Sequence, residues 1–565
     1  MPKLKATEAL SARTDHSIPP CQAACPVATN ARDYVLLSGD GRFGDAFEVA
    51  RGPNPLPSVC GRACSAPCED VCTRAEFDAP VRIRQLKRFL SDRYAVRPMK
   101  DRRPTTQTGR SVAIVGAGPA GLAAAHDLAL LGHSVTLIEA APEPGGMALL
   151  GVPRFRLPRE VIQRDVEAIL ATGVEMRTNT RVGTDVTLSE LRDKHDAVLI
   201  AAGAMRPNAL DIPGSGLNGV VQALPFLEEA NLGGRPHCGD RVAVIGGGYT
   251  AMDAARTAIR LGAAEVTVLY RRTRRESEVH DEELHETVHE GVRIRYLVSP
   301  VRAIDDGAGN VAAIECIENR LGEPDASGRA RPVPIEGSEF EFPCDMIILA
   351  LGQAPDAESI DGELGAALQR VAQTTYMADI PGVFGCGDFV TGPSTIIEAI
   401  AQGREAARSM HRYLRETTAP DAEWLDEPPE SLVDVHPIPG AGDPRDAWPF
   451  LAGLVARGEE VPLDLLQETE ETLIARAAMA EGLRCLYCGL LPEIELERCT
   501  ACQACEIVCP TEAIVRVAVD EAGRAVPYTG SGDVPGYAII PDDCIKCGRC
   551  IGSCPTDAIH PVSGA

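Results

Sequence analysis

The chain has 565 residues, long enough for about three or four domains. Its 81 Asp and Glu outweigh 55 Lys and Arg, giving −26, a balance that repels phosphate backbones and anionic lipid and so argues against nucleic-acid binding and membrane-surface docking. No run of about 18 uninterrupted apolar residues occurs, and the opening MPKLKATEALSARTDHS lacks the apolar core of a signal peptide, so a soluble cytoplasmic protein is expected. Without a secretion signal, the 20 cysteines read as metal ligands rather than disulfides. Six fall between positions 21 and 72 and ten between 485 and 554. Only Cys238, Cys316, Cys344 and Cys386 are scattered between, which predicts an ordinary core flanked by two cluster-bearing ends.

In chain order, the first cysteines are Cys21, Cys25, Cys60, Cys64, Cys68 and Cys72, in PPCQAACP and NPLPSVCGRACSAPCEDVC. Residues 111–139, SVAIVGAGPAGLAAAHDLALLGHSVTLIE, then read as strand, glycine turn, Ala/Leu-rich helix and second strand. Gly116 suits the tight turn, Gly118 the approach of a pyrophosphate, and Gly121 the packing of helix on strand; Pro119 and Ala120 open the helix, whose N-terminus faces the anion. Glu139 closes the second strand, where a carboxylate can accept hydrogen bonds from a ribose 2′-hydroxyl. The competing reading is a glycine-rich turn with no ligand.

The pattern recurs at 241–276, with Gly246, Gly248 and Ala251 at the small-residue positions and Tyr249 and Thr250 opening the helix. Here the second strand ends in Tyr270-Arg271-Arg272, followed by Arg274 and Arg275. Guanidinium groups can grip the 2′-phosphate of NADP bidentately, so NADPH is expected, with NAD(H) or a merely solvated basic patch as alternatives. A third segment, 381–407, carries Gly387 and Asp388 after a strand and a helix start near Thr395. In flavoproteins with two nucleotide folds such an Asp holds the ribityl chain, and the helix start directs its positive end at the flavin.

From 415 to 480 the chain is acidic and proline-dotted, then helical, and reads as a linker. Cys485 and Cys488 follow. Then come two matched bacterial ferredoxin runs: Cys499, Cys502, Cys505, Cys509-Pro510 and Cys544, Cys547, Cys550, Cys554-Pro555. Because the fourth cysteine of each run serves the other cluster, one [4Fe–4S] is assigned Cys499, Cys502, Cys505 and Cys554, the other Cys544, Cys547, Cys550 and Cys509. Zinc on four thiolates is the alternative.

The segments PEPGGM (142–147, with Gly145 and Gly146), GVPRFRLPRE (151–160), VIGGGYTAMDAARTAIRLGA, VTVLYRRTRRE and GCGD…GPSTIIEAIAQGREAA resemble the small subunit of bacterial glutamate synthase. They equally resemble its flavoprotein relatives in ferredoxin:NADP transhydrogenases and in the front half of dihydropyrimidine dehydrogenase. The resemblance spans roughly residues 15–415. It implies FAD on the first fingerprint, NADPH on the second, an NADPH domain inserted within the FAD domain, and hydride transfer from nicotinamide to flavin N5. No side-chain acid or base is needed for that step, only alignment of two rings. Disulfide reductases of this fold would need a redox-active cysteine pair beside the flavin, and the middle cysteines are solitary.

The resemblance also implies two N-terminal [4Fe–4S] clusters, opened by an Arg-Cys-x-x-Cys-Gly element that is missing upstream but present, displaced, as Arg484-Cys485-Leu486-Tyr487-Cys488-Gly489. Cys485 and Cys488 are therefore expected to return and complete a cluster with Cys21 and Cys72; free thiols or a separate metal pair are the alternatives. The other cluster would use Cys25, Cys64 and Cys68. The position where the family often has a Gln or Glu ligand is Lys87, leaving Cys60 or Gln85 as the fourth, or a three-iron or absent cluster. The predicted fold is α/β: a helical iron–sulfur domain (1–109), an FAD domain (110–232 and 353–415) with an inserted NADP(H) domain (233–352), a linker (416–484) and a ferredoxin-like α+β domain (485–565). The combination resembles the NADP-reducing subunit of 2-oxoacid:ferredoxin oxidoreductase complexes, with ferredoxin or 2-oxoacid oxidoreductase subunits as expected partners in a hetero-oligomer. The pyrimidine-reducing barrel has no room before the ferredoxin end. A glutamate synthase small-subunit role and a non-catalytic wiring subunit remain as alternatives.

Overall fold

The computed structural model describes residues 18–95, 107–418 (except 326–327, 363–364 and 373), 468 and 472–561 (except 490, 520–524, 529–535 and 542). These form two compact units, one of residues 18–95 with 472–561, the other of residues 107–418. Most of the stretch read as a linker, residues 419–467, lies outside the described residues.

The second unit is built on two parallel five-stranded sheets. In the first the strand order is Val383–Gly385, Ala197–Ile200, Ser111–Val115, Ser134–Ile138, Glu175–Arg177. Its central strands are continuous apolar runs because helices cover both faces. The turn after Ser111–Val115 needs glycine: Gly116 has φ +101°, and a Cβ on Gly121 would lie 1.9 Å from the Gly116 carbonyl oxygen. The Pro119–Leu130 helix can thus settle directly on the strand. The chain returns to this sheet at Val383–Gly385, and the long Ile396–Thr418 helix packs on Pro119–Leu130. Arg404 and the buried Asp127 pair at 2.8 Å across that contact.

The second sheet runs Val220–Gln222, Met346–Leu349, Arg241–Ile245, Glu265–Tyr270, Arg293–Tyr296, with a four-stranded antiparallel sheet (Val298–Asp305 to Phe340–Pro343) inserted before Met346–Leu349. Val220–Gln222, assigned from sequence to the FAD domain, pairs with Met346–Leu349 and belongs to the second sheet. The crossover between the two sheets is marked instead by Arg206–Pro207 and Gln353–Ala354, which pair antiparallel where the chain leaves and returns. The GVPRFRLPRE segment joins the two halves. Phe155 is wholly buried beneath the Arg260 and Arg256 guanidinium groups, 3.7 and 5.0 Å from its ring centre, and Arg156 pairs with Asp253 at 2.6 Å. This clamp holds the two sheets in a fixed relation.

The first unit begins as a helical cluster: Ala31–Gly39, Phe43–Arg51, Pro57–Ala63 and Ile83–Tyr94. Its core of Tyr34, Phe47, Leu86, Phe89 and Leu90 also contains Leu473, Ala477 and Ala478 from the far end of the chain. The Ala475–Gly482 helix, read from sequence as linker, is therefore an integral member of this core. The approach is close: a Cβ on Gly482 would lie 2.3 Å from the Gly39 nitrogen. If the chain is cut within residues 419–467 and the two pieces are coexpressed, the C-terminal piece is expected to copurify with a tagged 1–418 piece. Its failure to do so would show that this core does not hold the ends together.

The ferredoxin end pairs Pro492–Ile494 with Ile559–Pro561 and builds a second sheet from Ile514–Val519, Ala525–Pro527 and Gly536–Ile539. Its two cysteine runs have matching backbones. Ala501 and Lys546 both have φ +52°, and Gln503 and Gly548, at φ +69° and +74°, precede the short helices Ala504–Val508 and Arg549–Ser553. Such left-handed turns curl the loop around its own thiols, which is why the spacing repeats.

Candidate functional sites

A cavity of about 600 Å³ opens at the carboxyl edge of the first sheet, lined by Gly116, Gly118, Glu139, Gly146, Gly387 and Asp388 among others. Pro119, Ala120 and Thr395 also reach it. Gly145 and Gly121 do not. Gly121 serves helix packing, and Gly145, at φ +140°, makes the turn that brings Gly146 beneath Gly118. A Cβ on Gly146 would lie 2.7 Å from the Gly118 Cα, so the two glycines leave a cradle that any side chain would fill. Glu139 accepts hydrogen bonds from the Ala117 and Ala141 amides at 2.7 and 2.8 Å. Its oxygens retain lone pairs for a ribose, but the carboxylate also holds the glycine loop.

Asp388 accepts from both the amide and the hydroxyl of Ser394, at 3.0 and 2.7 Å. Burial pushes its carboxyl up and the Ser394 bonds hold it down, with a net rise. Thr395 and Glu398 form a reciprocal capping box at the start of Ile396–Thr418, which fixes that helix start against the cavity. Sequence reasoning missed Thr180, Val182, Met205 and Ile360, which also line the cavity. They come from other segments and carry no local motif. The glycine cradle and the cavity fit a dinucleotide of FAD size.

At the second fingerprint Gly246 has φ +150° and a Cβ there would lie 2.4 Å from the Ala350 oxygen. A Cβ on Gly248 would meet open space, leaving the backbone accessible where the Tyr249–Leu261 helix begins. Tyr249 accepts a hydrogen bond from the His280 amide at 3.1 Å, and Thr250 stands beside it in the first turn. The two arginines paired in sequence separate here. Arg272 is buried, donating to the Ala330 carbonyl at 2.9 Å and to Asp325 at 2.6 Å. Arg271, next along the strand end, is exposed, as is Arg275. The expectation that Arg272 faces a nucleotide is therefore corrected: its guanidinium is spent on the inserted antiparallel sheet.

In the ferredoxin end the thiols gather in two small cavities. One is lined by Cys499, Cys502, Cys505 and Cys554, the other by Cys509, Cys544, Cys547 and Cys550, so the fourth cysteine of each run lies with the first three of the other. A third cavity, in the helical cluster, is lined by Cys21, Cys72, Cys485 and Cys488. Residues more than 400 positions apart thus share one site. Arg32 donates to the Cys488 carbonyl at 3.2 Å, and buried Arg484 reaches Asp78 and the Ala79 carbonyl at 2.8 and 2.6 Å, locking the displaced element down. The Cys488 thiol also donates to the carbonyl of Cys547 at 3.0 Å, so this site adjoins a ferredoxin one.

The remaining N-terminal thiols, Cys25, Cys60, Cys64 and Cys68, all lie near enough to Lys87 to act on its charge. Cys60, wholly buried, donates to Cys64, whose pKa falls to about 6, first through that bond and then through Lys87. Gln85 instead accepts from Arg82. Burial pushes Cys21 and Cys485 up to about 12 and Cys505 to about 11. Such buried thiols are neutral by themselves and ionise only when metal replaces the proton, so the donor sets fit iron–sulfur clusters. Among the described residues no group of three or more His, Cys, Asp and Glu closes on a single metal ion.

Of the middle cysteines, Cys316, Cys344 and Cys386 are core residues and Cys238 is partly buried against the core of the second nucleotide domain. Cys316 and Cys344 are near enough to perturb one another, a proximity the sequence did not show, but both are wholly buried in the core of the second nucleotide domain and pushed up to about 12. Neither lines the first cavity.

Residues 110–403 match the pyridine nucleotide-disulphide oxidoreductase family. Residues 8–98 match dihydropyrimidine dehydrogenase domain II, a 4Fe-4S cluster domain, and 498–558 a 4Fe-4S dicluster domain. The NADP(+)-dependent formate dehydrogenase subunit beta of Moorella thermoacetica is 39% identical over 510 residues, 83% of this chain and 70% of that one. The NADPH-Fe(3+) oxidoreductase subunit beta of Geobacter sulfurreducens is 38% identical, over 83% and 75%. The glutamate synthase [NADPH] small chain of Azospirillum brasilense is 36% identical, over 73% and 89%. The chain belongs to the glutamate synthase small chain-like NADPH oxidoreductase subunits. It is an FAD- and NADP(H)-dependent iron–sulfur oxidoreductase with 4Fe-4S clusters in both its N-terminal and C-terminal domains, and it transfers electrons among these groups. These relatives are subunits of multi-subunit enzymes.

Proposed function

We propose that the chain is the NADP(H)-handling subunit of a hetero-oligomeric, cytoplasmic oxidoreductase, exchanging electrons with ferredoxin or with a 2-oxoacid oxidoreductase partner through its ferredoxin end. No helix among the described residues is long and apolar enough to cross a membrane. The observation that carries the reading is the joining of the ends: Cys21, Cys72, Cys485 and Cys488 around one cavity, with Cys488 bonded to the carbonyl of Cys547. In this reading the Cys21 set and the Cys25 set each hold an N-terminal cluster, and the two crossed C-terminal sets hold one each. Flavin supplies the change from two-electron to one-electron chemistry. The protein's own contribution is placement. Gly116, Gly118 and Gly146 receive the FAD pyrophosphate, Asp388 its ribityl chain, and Gly246 and Gly248 the NADPH pyrophosphate, with Arg271 and Arg275 gripping the 2′-phosphate. Cys502 is the exposed thiol of its set, which supports an outlet for a partner at that edge.

The test is anaerobic mixing of the purified protein with NADPH or NADH and a viologen dye. Dye reduction preferring NADPH is expected; absence of any reduction would leave only the wiring-subunit reading. Copurification of a large glutaminase-bearing subunit would instead favour the glutamate synthase role.

A further inference from the structure

The proposed ligand set Cys25, Cys60, Cys64 and Cys68 has a lysine, Lys87, close enough to interact with all four. Cys60 and Gly61 lie on the Pro57–Ala63 helix, and Lys87 and Arg88 on Ile83–Tyr94. The two helices touch through backbone: a Cβ on Gly61 would lie 2.7 Å from the Arg88 Cα. That approach brings Lys87, one residue earlier, close to the helix that carries Cys60. Lys87 is 7% exposed, and its Nζ stands 5.7 Å from the centre of the buried Tyr34 ring, whose hydroxyl is held by the Ile83 carbonyl at 3.3 Å. A lysine this buried is costly unless negative charge faces it. Here the facing groups are the four proposed cluster ligands, which carry negative charge once metal has replaced their protons.

We propose that Lys87 is the resident cation of this N-terminal cluster, a positioning residue that sets its reduction potential and is not a ligand. The inference rests on the reading that these four cysteines hold a cluster. A cluster on four thiolates is net negative and gains one further negative charge when it takes an electron, with no proton needed for balance. A fixed ammonium in a low-dielectric site stabilises the reduced form more than the oxidised one and so raises the potential. That favours this centre as the electron acceptor among its neighbours.

The experiment is an EPR-monitored redox titration, with iron analysis, of the full-length anaerobic protein and of its Lys87→Met and Lys87→Arg variants. In Lys87→Met the iron is expected to be retained, with one N-terminal signal shifted to lower potential by at least a tenfold change in its reduction equilibrium, 59 mV for one electron, and the other signals unmoved. Lys87→Arg, which keeps the charge, is expected to restore the potential. If Lys87→Met loses the cluster, Lys87→Gln takes its place in the titration, with the same downward shift expected and an unmoved potential overturning the proposal. An unmoved potential in Lys87→Met overturns it. So do equal shifts, or equal iron loss, in both variants, which would make Lys87 a packing residue. Cys64→Ser separates the underlying reading: if that variant keeps all its iron, the ligand set itself is wrong, whatever Lys87 does.

Discussion

Replacing Cys485 and Cys488 together with serine is expected to remove the iron of one whole cluster and to abolish one N-terminal EPR signal. Cys21→Ser is expected to produce the same loss. The shared cavity is the reason: two thiols come from the helical cluster and two from a segment more than 400 residues later. Serine cannot supply a soft thiolate, and a cluster deprived of two ligands is not retained. The protein should still fold, because the Ala475–Gly482 helix is anchored independently by Leu473, Ala477 and Ala478 and by the buried Arg484 contacts. Cys238→Ser, in the nucleotide-binding unit, serves as the control with iron unchanged. Unchanged iron in the Cys485→Ser/Cys488→Ser variant would show that the displaced pair is not a ligand pair, leaving the ends joined by packing alone.

The second large effect concerns the nucleotide. An Arg271→Ala/Arg275→Ala variant is expected to raise KM for NADPH by about ten- to a hundredfold while leaving KM for NADH nearly unchanged. Charge-assisted hydrogen bonds contribute about 1.5–3 kcal/mol, and each 1.4 kcal/mol is about a factor of ten. Arg272→Ala should not mimic it. That side chain is committed to Asp325 and the Ala330 carbonyl, so its loss is expected to lower stability without altering the preference between nucleotides. Steady-state kinetics with both nucleotides, beside thermal unfolding, separates the two. If Arg272→Ala alone collapses the preference, the 2′-phosphate site is built differently from the arrangement proposed here.

The sequence by itself determined the parts whose chemistry is local. Gly116 and Gly121 are legible because a strand–turn–helix of that tightness admits no side chain there: a Cβ on Gly121 would strike the Gly116 carbonyl and one on Gly116 the backbone just past the neighbouring strand. The ferredoxin runs are legible for the same reason: each loop curls through left-handed residues at fixed spacing around its own thiols. Only the tertiary structure decided what depends on residues distant along the chain. Arg271 and Arg272 look equivalent as text, yet strand geometry sends one to solvent and the other into the inserted sheet. Val220–Gln222 carries no mark of which sheet it joins, since a short apolar strand is chosen by its hydrogen-bonding neighbour. Lys87 reads as a lysine standing where the family often has a ligand, and only the approach of its helix at Gly61 decides that it is buried. Local steric rules are written residue by residue, whereas burial and charge are set by whichever distant segments the packed core brings together.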